Sequence, residues 1–548
     1  MEFIRKNISY LVVLFGLGAL LYSFNIHNNL FWDDVDWILN NPSVHAFNWA
    51  NIKYIFTHDA LAGVGLASNY YRPFLFLTFL GNYVISDSSP VLYHVVSNLI
   101  HIGNGILIFY LLSRWLSNKR IAFLVALIFI IHPLQTEAVS YISGRGDSLS
   151  IFFILIGIIS FLWFRTRSNY LGAYIISGLA MVLGILSRET AILFPAYLGV
   201  GLIAFEFKDN FITRFKKSLF QVSPFIAISA IYWVLRITVL NFQNTLNFYQ
   251  QGNLYSEHLP YRIYTFLHAL LVYLKLAIAP WGLHMERDVP VSTSLFDGLS
   301  WLGGLLIILA LGWLVYSYRR SDKRRFNIWF FGLGIFFLNL GPTSGILPIN
   351  ARMYEHWLYF SLFGLFVIVV WYLEALIGYL EKNHIKLKPV IFILITGYCV
   401  FLSFQTIKRN IIWGDTEAFY LNILKYESNN VRVLNNLANW YSSKGDTEGA
   451  INMYQKAIAQ DPTQAAPYYN LANMAKDNGD LAQAEMLYKE AIKVNPKFHY
   501  AYQNLASLYV TQRRYKEALV VVEELQKIRP SSQLLEVIAQ LKRILNTP

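Results

Sequence analysis

Between Ile8 and Phe24 nearly every residue is apolar, and blocks of similar length return until about residue 407. A bilayer core takes roughly 20 apolar residues as a helix. The pattern therefore predicts spans at 8–24, 91–113, 120–134, 148–164, 170–186, 189–206, 219–239, 299–317, 327–341, 354–379 and 389–407, about eleven in all. Residues 8–24 lack a small-residue cleavage site and read as an uncleaved first span. Two further apolar stretches fit less simply. Residues 72–85 are short and are expected to lie along the interface. Residues 262–279 are long enough to cross but hold Arg262, His268 and Lys275. Counting them as a span would place Arg319, Arg320, Lys323, Arg324 and Arg325 outside, against the positive-inside bias. They are expected to lie on the membrane or to re-enter it. With Arg5 and Lys6 cytoplasmic, the cytoplasmic ends carry 19 Lys and Arg and the outer loops 11. The large outer segments are then 25–90 and 240–298, and an odd number of spans sends the C-terminus outside.

The pattern changes near residue 410, dividing a polytopic unit, 1–410, from a polar unit, 411–548. From 431 the chain repeats every 34 residues, as 431–464, 465–498 and 499–532, with a closing helix at 533–545. Asn436-Leu437-Ala438, Asn470-Leu471-Ala472 and Asn504-Leu505-Ala506 mark the register, as do Ala450, Ala484, Ala518 and Pro462, Pro496, Pro530. Helix pairs of this length, with small residues at the crossing and Pro at the end, are tetratricopeptide repeats. Stacked, they form a concave groove suited to an extended peptide. Asn436, Asn470 and Asn504 share a helix phase with Asn439 and Asn473 three residues on. These amides suit either of two tasks: reading an acceptor peptide backbone, or bonding neighbouring repeats. The fold class expected is all-α throughout.

Composition adds location. The chain is 55% hydrophobic and 14% charged, with net charge +12. Residues 415–548 hold 15 bases and 14 acids, leaving an excess of eleven bases on the membrane part. Charge placed there fits anionic lipid headgroups and gives no reason to expect nucleic acid. A lone Cys399 excludes an internal disulfide.

Chemistry concentrates in few places. Phe31-Trp32-Asp33-Asp34-Val35-Asp36-Trp37 packs three carboxylates just past the first span. It is either an acidic centre or a hydrated loop. Read as extended chain, Asp34 and Asp36 share a face and form a candidate pair for a divalent metal, though hard cations need more oxygens than two acids supply. Four arginines stand alone in polar settings on the same side: Arg72, Arg145, Arg188 and Arg352. Ionisable groups at membrane depth mark ligand sites or pairs, and the guanidinium fork suits phosphate. Local pairing, Arg188 with Glu189 or Arg145 with Asp147, is the plainer account of each.

Together these stretches resemble the TMTC family, transmembrane and tetratricopeptide-repeat proteins of the GT-C glycosyltransferase fold, in a prokaryotic-type form. The resemblance rests on Trp32-Asp33-Asp34 with Asn40-Asn41-Pro42 and on Tyr71-Arg72-Pro73. It continues in Tyr93-His94, Asn98 and His101, and from His132-Pro133-Leu134-Gln135-Thr136-Glu137 to Gly144-Arg145-Gly146-Asp147. Arg188-Glu189-Thr190, Pro280-Trp281-Gly282 and Arg352 with Tyr354-Glu355-His356 complete it. One departure stands out. A Glu-Arg pair is expected before a Leu-Tyr-Leu-Pro-like run, where this chain has Ala351-Arg352-Met353-Tyr354 and then Trp357-Leu358-Tyr359-Phe360.

The resemblance implies an inverting multi-pass enzyme, in a bacterial inner membrane or its equivalent, with no certain cofactor. It would move a sugar, mannose foremost, from a polyprenyl-phosphate donor to Ser or Thr of an exported protein held by the repeats. Asp33 would be the base, and Asp34 would orient the acceptor or help hold a metal. Arg188 and Arg352, then Arg72 and Arg145, would meet the leaving phosphate. Glu137, Asp147, Glu189, His132, Glu355 and His356 would support them. The competing readings are a non-catalytic scaffold that recruits partners through its repeats, and a transporter.

Overall fold

A backbone in hydrocarbon must satisfy its hydrogen bonds internally, which favours helices, and among the described residues there is no strand. The computed structural model describes residues 2–546 except 67, 117, 243–252, 321, 350 and 385–386. Ten residues of the expected outer segment 240–298 thus lie outside the described residues. The chain forms two compact units, Met1–Asp415 and Thr416–Pro548.

In the first unit α1 (Glu2–Tyr22) leads to α2 (Trp49–Thr57), α3 (Pro73–Ser86), α4 (Pro90–Leu116) and α5 (Lys119–Ile131). Short turns surround α6 (Thr136–Val139) before α7 (Arg145–Arg165), α8 (Tyr170–Ser187), α9 (Phe194–Gly201) and α10 (Phe211–Ile237). Then come α11 (Leu254–Glu257), α12 (Leu259–Ile278), α13 (Ser300–Arg319), α14 (Lys323–Leu340), α15 (Ser361–Lys382) and α16 (Lys388–Gly414). Eleven helices among the described residues are long and apolar enough to cross a bilayer, α12 included. The chain is a multi-pass membrane protein. The stretch expected as one span at 120–134 is instead α5 followed, after a 55° bend, by Pro133–Val139. Pro133 explains the break, since its ring cannot continue the helix it would follow.

Side-chain contacts sort the helix ends into two layers. In the basal layer Glu206 meets Trp115, Arg114 and Arg165, tying the ends of α4 and α7 to the end of the α9 segment. Arg214 of α10 reaches Asn327 of α14 at 2.9 Å, and Phe211 packs on Tyr318 of α13. In the opposite layer α10 ends with Arg236 donating to the Asn69 carbonyl. Since α13 ends in the basal layer, it starts in the other, where α10 finished. A single helix between them cannot cross. Accordingly α12 begins beside Gly345, whose carbonyl accepts from Arg262 at 2.6 Å, dips, and turns back. The returning chain climbs along α16: Ile278 O meets Tyr398 at 2.9 Å, Pro280 O meets Gln405 at 3.2 Å and Leu283 O meets Arg409 at 2.8 Å.

The second unit comprises α17 (Thr416–Leu424) and three helix pairs. These are α18 (Val431–Ser443) with α19 (Thr447–Gln460), α20 (Ala465–Asp477) with α21 (Leu481–Val494), and α22 (His499–Thr511) with α23 (Tyr515–Ile528), closed by α24 (Ser532–Asn546). Ala450, Ala484 and Ala518, one per pair, are fully buried where the helices cross.

Close backbone approach fixes α14 against α15. A Cβ on Gly364 would lie 2.3 Å from Gly332 O, and one on Gly332 would lie 2.7 Å from Gly364 O. Small residues at such a crossing replace the hydrophobic drive that lipid removes. Gly364→Val should therefore lower the melting temperature in detergent, at a cost of about 1–3 kcal/mol. Gly378→Val, with nothing within 4 Å of its Cβ, should leave it unchanged.

Candidate active site

Every residue from Ile128 to Ile151 is buried, although this stretch carries His132, Gln135, Glu137, Ser140, Ser143, Arg145, Asp147 and Ser148. Polar groups in such a setting need partners, and the surrounding helices supply them. His132 Nε2 meets Ala277 O at 3.1 Å, while its Nδ1 accepts from Leu134 N and caps the turn after the bend. Ser140 donates to Asn410 Oδ1 at 2.6 Å and accepts from Asn25 at 3.0 Å. Asn25 and Asn98 exchange two hydrogen bonds. Thr406 of α16 donates to Ile131 O at 2.6 Å. The hub thus ties α1, α4, α5, α12 and α16 together through polar contacts.

Asp34 joins the acidic stretch to this hub. Its Oδ1 accepts from Ser143 N at 2.7 Å and from Ser143 Oγ at 2.6 Å, and the residue is 2% exposed. Trp32 precedes it at φ 60°, a left-handed conformation that is costly for a bulky residue. That turn starts a helical segment, with Asp34 N bonded to Phe31 O and Val35 N to Trp32 O, which continues as a π turn, Val35–Leu39. Asp33 in this segment is half-buried. Because the segment is helical, Asp34 and Asp36 do not share a face as they would in extended chain. Asp36 accepts instead from Asn40 at 3.3 Å. Among the described residues no three His, Cys, Asp or Glu are grouped to hold a metal ion, so the expected Asp34–Asp36 pair does not fit one.

The arginines divide. Arg145 is fully buried, and all three of its nitrogens are used. They donate to Ser97 Oγ (3.0 Å), Thr78 Oγ1 (2.9 Å), Asn82 Oδ1 (2.8 Å) and Tyr93 O (2.8 Å). It locks α3 and α4 to α7, and the expectation that it meets a phosphate gives way to that. Arg352 donates to Asp288 and to Val289 O of the loop after α12. Arg188 donates to Asp147, and Arg72 donates through Nε to Glu189 at 3.0 Å. Glu189 also accepts from Tyr71 N at 3.1 Å. The Arg72 guanidinium lies 4.5 Å from the Tyr70 ring centre and 5.8 Å from that of Trp37. Trp37 lies one turn beyond Asp33. The arginine pair and the acidic stretch are therefore neighbours, joined by one indole.

A third group closes the site. Glu137 Oε1 is 2.6 Å from His356 Nδ1, and its Oε2 accepts from Glu355 N at 3.2 Å. Glu355 accepts from His284 N at 2.9 Å and pairs with Arg287 at 3.4 Å and Arg409 at 3.5 Å. The expected supporters Glu137, Asp147, Glu189, His132, Glu355 and His356 all lie in or against the hub. Ser143, Arg287 and Arg409 are additions. Arg409 was legible only as one face of α16, where Thr406, Arg409, Asn410 and Trp413, spaced i, i+3, i+4 and i+7, are all buried.

In the repeats the asparagines are largely committed to one another. Asn470 donates to Asn435 at 3.0 Å and Asn504 to Asn473 at 2.7 Å. Asn439 and Asn473 accept from Tyr454 and Tyr488 at 2.5 and 2.6 Å. Asn436 is half-buried. The amides thus stitch helix to helix, which leaves the acceptor-binding role expected of them without geometric support.

The chain is similar to proteins named TMTC. It is 22% identical to the protein O-mannosyl-transferase TMTC3 of Mus musculus over 485 residues, covering 83% of this chain and 51% of that protein. To the protein O-mannosyl-transferase F38B6.6 of Caenorhabditis elegans it is 24% identical over 473 residues, covering 84% and 64%. A shorter match of 157 residues, 27% of this chain and 17% of the other, reaches 33% identity with TMTC1 of Homo sapiens. This TMTC-like chain spans about half the length of the TMTC3 relatives it matches. Models described as TPR repeat and tetratricopeptide repeat match residues 438–479 and 475–541.

Burial pushes the Asp34 carboxyl up to about 7, against the two Ser143 hydrogen bonds and with a smaller push from Asp33. Between about pH 4 and that value, the folded TMTC-like chain holds a proton that the unfolded chain has released. Through this group the fold weakens as pH rises across that interval and changes no further above it. Asp34→Asn keeps an acceptor for Ser143 but cannot titrate. Melting scans at pH 5 and pH 7 should show the variant losing this part of the pH dependence.

Proposed function

We propose that the chain is an inverting GT-C-type glycosyltransferase. It moves a sugar, mannose by likeness to the protein O-mannosyl-transferases it resembles, from a polyprenyl-phosphate donor to a Ser or Thr hydroxyl of an exported protein. The observation that carries this reading is the division of labour in the acidic stretch. Asp34 is buried and held by Ser143, while its neighbour Asp33 is half-buried, one turn before Trp37, whose ring centre lies 5.8 Å from the guanidinium of Arg72. Arg72 and Arg188 are each paired with a carboxylate.

In this mechanism the acceptor hydroxyl loses its proton to Asp33 as its oxygen attacks the anomeric carbon. The bond from that carbon to the phosphate oxygen breaks on the opposite face, and the electron pair leaves with the phosphate. Arg72 and Arg188 meet that charge. Glu189 and Asp147 hold both guanidinium groups in place before the donor arrives, and each five-donor fork has N–H groups beyond the one given to its carboxylate. Preset cations beside developing charge lower a barrier more than mobile ones. Asp34 positions Asp33 through Ser143, and Glu137 positions His356 and the 352–358 segment.

The basal layer carries the Arg319–Arg325 turn and Arg114, Arg165 and Arg214, which by the positive-inside rule makes it cytoplasmic. With the bent α5 segment counted as a crossing beside the ten long apolar helices other than α12, the hub, Asp33 and the end of α16 would face the non-cytoplasmic side, where exported acceptors are found. The repeats follow α16 and would engage the acceptor.

Membranes containing the full chain, supplied with polyprenyl-phosphate mannose and a Ser/Thr peptide, should add a hexose mass to the peptide. Asp33→Asn should lower that rate about 10²–10⁴-fold while inserting normally. Undiminished turnover by the variant would remove Asp33 from the mechanism. Absence of transfer by the wild type from any lipid-linked sugar would favour the scaffold reading.

A further inference from the structure

Away from the hub, α12, α13, α14 and α15 enclose a cleft of about 670 Å³, walled by Leu270, Ile307, Ala310, Trp313, Phe336 and Tyr372 among others. Its volume falls in the range of ligand pockets, and its walls are nearly all hydrocarbon. The indole N–H groups of Trp313 and Trp329 are both directed to Tyr372 Oη, at 3.1 and 2.8 Å. With those donors already satisfied, nothing there favours a polar occupant, and a buried polar group would lose its water without compensation.

The mouth is different. The Arg325 guanidinium lies 5.6 Å from the Trp313 ring centre and pairs with Asp322 at 3.2 Å. Next to it Arg319, Arg320, Lys323 and Arg324 are exposed and form no ion pair among the described residues. Trp313 precedes Arg319 by six residues, which is about 9 Å along the helix axis. That is roughly the depth separating a phosphate group from the start of the acyl region. A dry, chain-sized slot thus opens beneath four exposed cations at headgroup height, none with an acidic partner among the described residues and one, Arg320, 5.5 Å from the Tyr316 ring centre.

We infer that this cleft binds one acyl chain of an anionic phospholipid, whose headgroup phosphate is held by Arg319, Arg320, Lys323 and Arg324. Basic clusters at the cytoplasmic ends of transmembrane helices attract anionic headgroups, and the slot beneath supplies the selectivity for a seated molecule over a passing one. The site belongs to the basal layer and does not depend on the proposed transferase reading.

The test uses the full chain in mild detergent, exchanged with phosphatidylglycerol or phosphatidylcholine, with retained lipid read by native mass spectrometry. Phosphatidylglycerol should be retained at least about tenfold better, and each base changed to Gln in the Arg319, Arg320, Lys323 and Arg324 series should weaken retention about fivefold. Ala310→Trp, which fills the slot, should reduce retention with the bases intact, whereas Lys216→Gln, an exposed base of the same layer, should not. Equal retention of the two lipids, no response to the Gln series, or a polyprenyl phosphate as the retained species would each overturn the assignment. The Gln series alters only exposed side chains, so it remains informative if Ala310→Trp fails to fold.

Discussion

The structure depends on keeping a polar segment dry. Ile128–Ile151 is buried throughout and broken into short turns, which expose backbone groups that a continuous helix would have satisfied. A buried polar group without a partner costs about 1–3 kcal/mol, more when charged. The hub survives because its needs are met from elements distant in sequence: Asn25, Asn98, Tyr359, Thr406 and Asn410 all contribute. The same requirement explains α16, which is exposed along most of its length yet buries Thr406, Arg409, Asn410 and Trp413 at the hub.

Charge in the hub is handled in two ways, and the difference separates architecture from chemistry. Arg145 is surrounded by neutral oxygens that use all its nitrogens, so it behaves as a rivet between helices. Arg72, Arg188, Glu137 and Glu355 are instead paired, acid against base, at the edge where the acidic stretch arrives. Ion pairs in a low-dielectric setting yield little net stability after desolvation. Their value here is positional, since they hold cations and carboxylates at set places in a region that water would otherwise blur. The left-handed turn at Trp32 adds local strain at the same edge, placing Asp34 inward and leaving its neighbour at the rim.

The helix that returns without crossing, α12, belongs to the same logic. Its dip brings His284 and Arg287 onto Glu355 and presents Ala277 O to His132. A straight crossing would carry these groups to the other layer. Of the polar residues of α12, Arg262 is buried and donates to the Gly345 and Ser256 carbonyls, His268 is half-buried and Lys275 is exposed. In the second unit the asparagine–tyrosine bonds do a comparable task, since helices with alanine at their crossings gain registry from a few directional contacts.

Sequence by itself determined the large-scale order. Runs of apolar residues as long as a bilayer is thick are visible without any partner, so the long apolar helices and the 34-residue repeats could be read directly. Charge bias alone separated the two kinds of helix end. Charge standing alone in an apolar chain drew attention to Asp33, Asp34 and Arg188, and the family resemblance added Glu137, Asp147 and Glu355. What only the tertiary structure decided was which of these groups touch. Whether Arg145 is a ligand or a rivet depends on Ser97, Thr78 and Asn82, neutral residues that look ordinary in sequence. Whether Asp34 faces Asp36 depends on a helical turn that begins at a strained tryptophan. Hydrogen bonding acts over about 3 Å between residues hundreds of positions apart, and no local pattern records such a meeting.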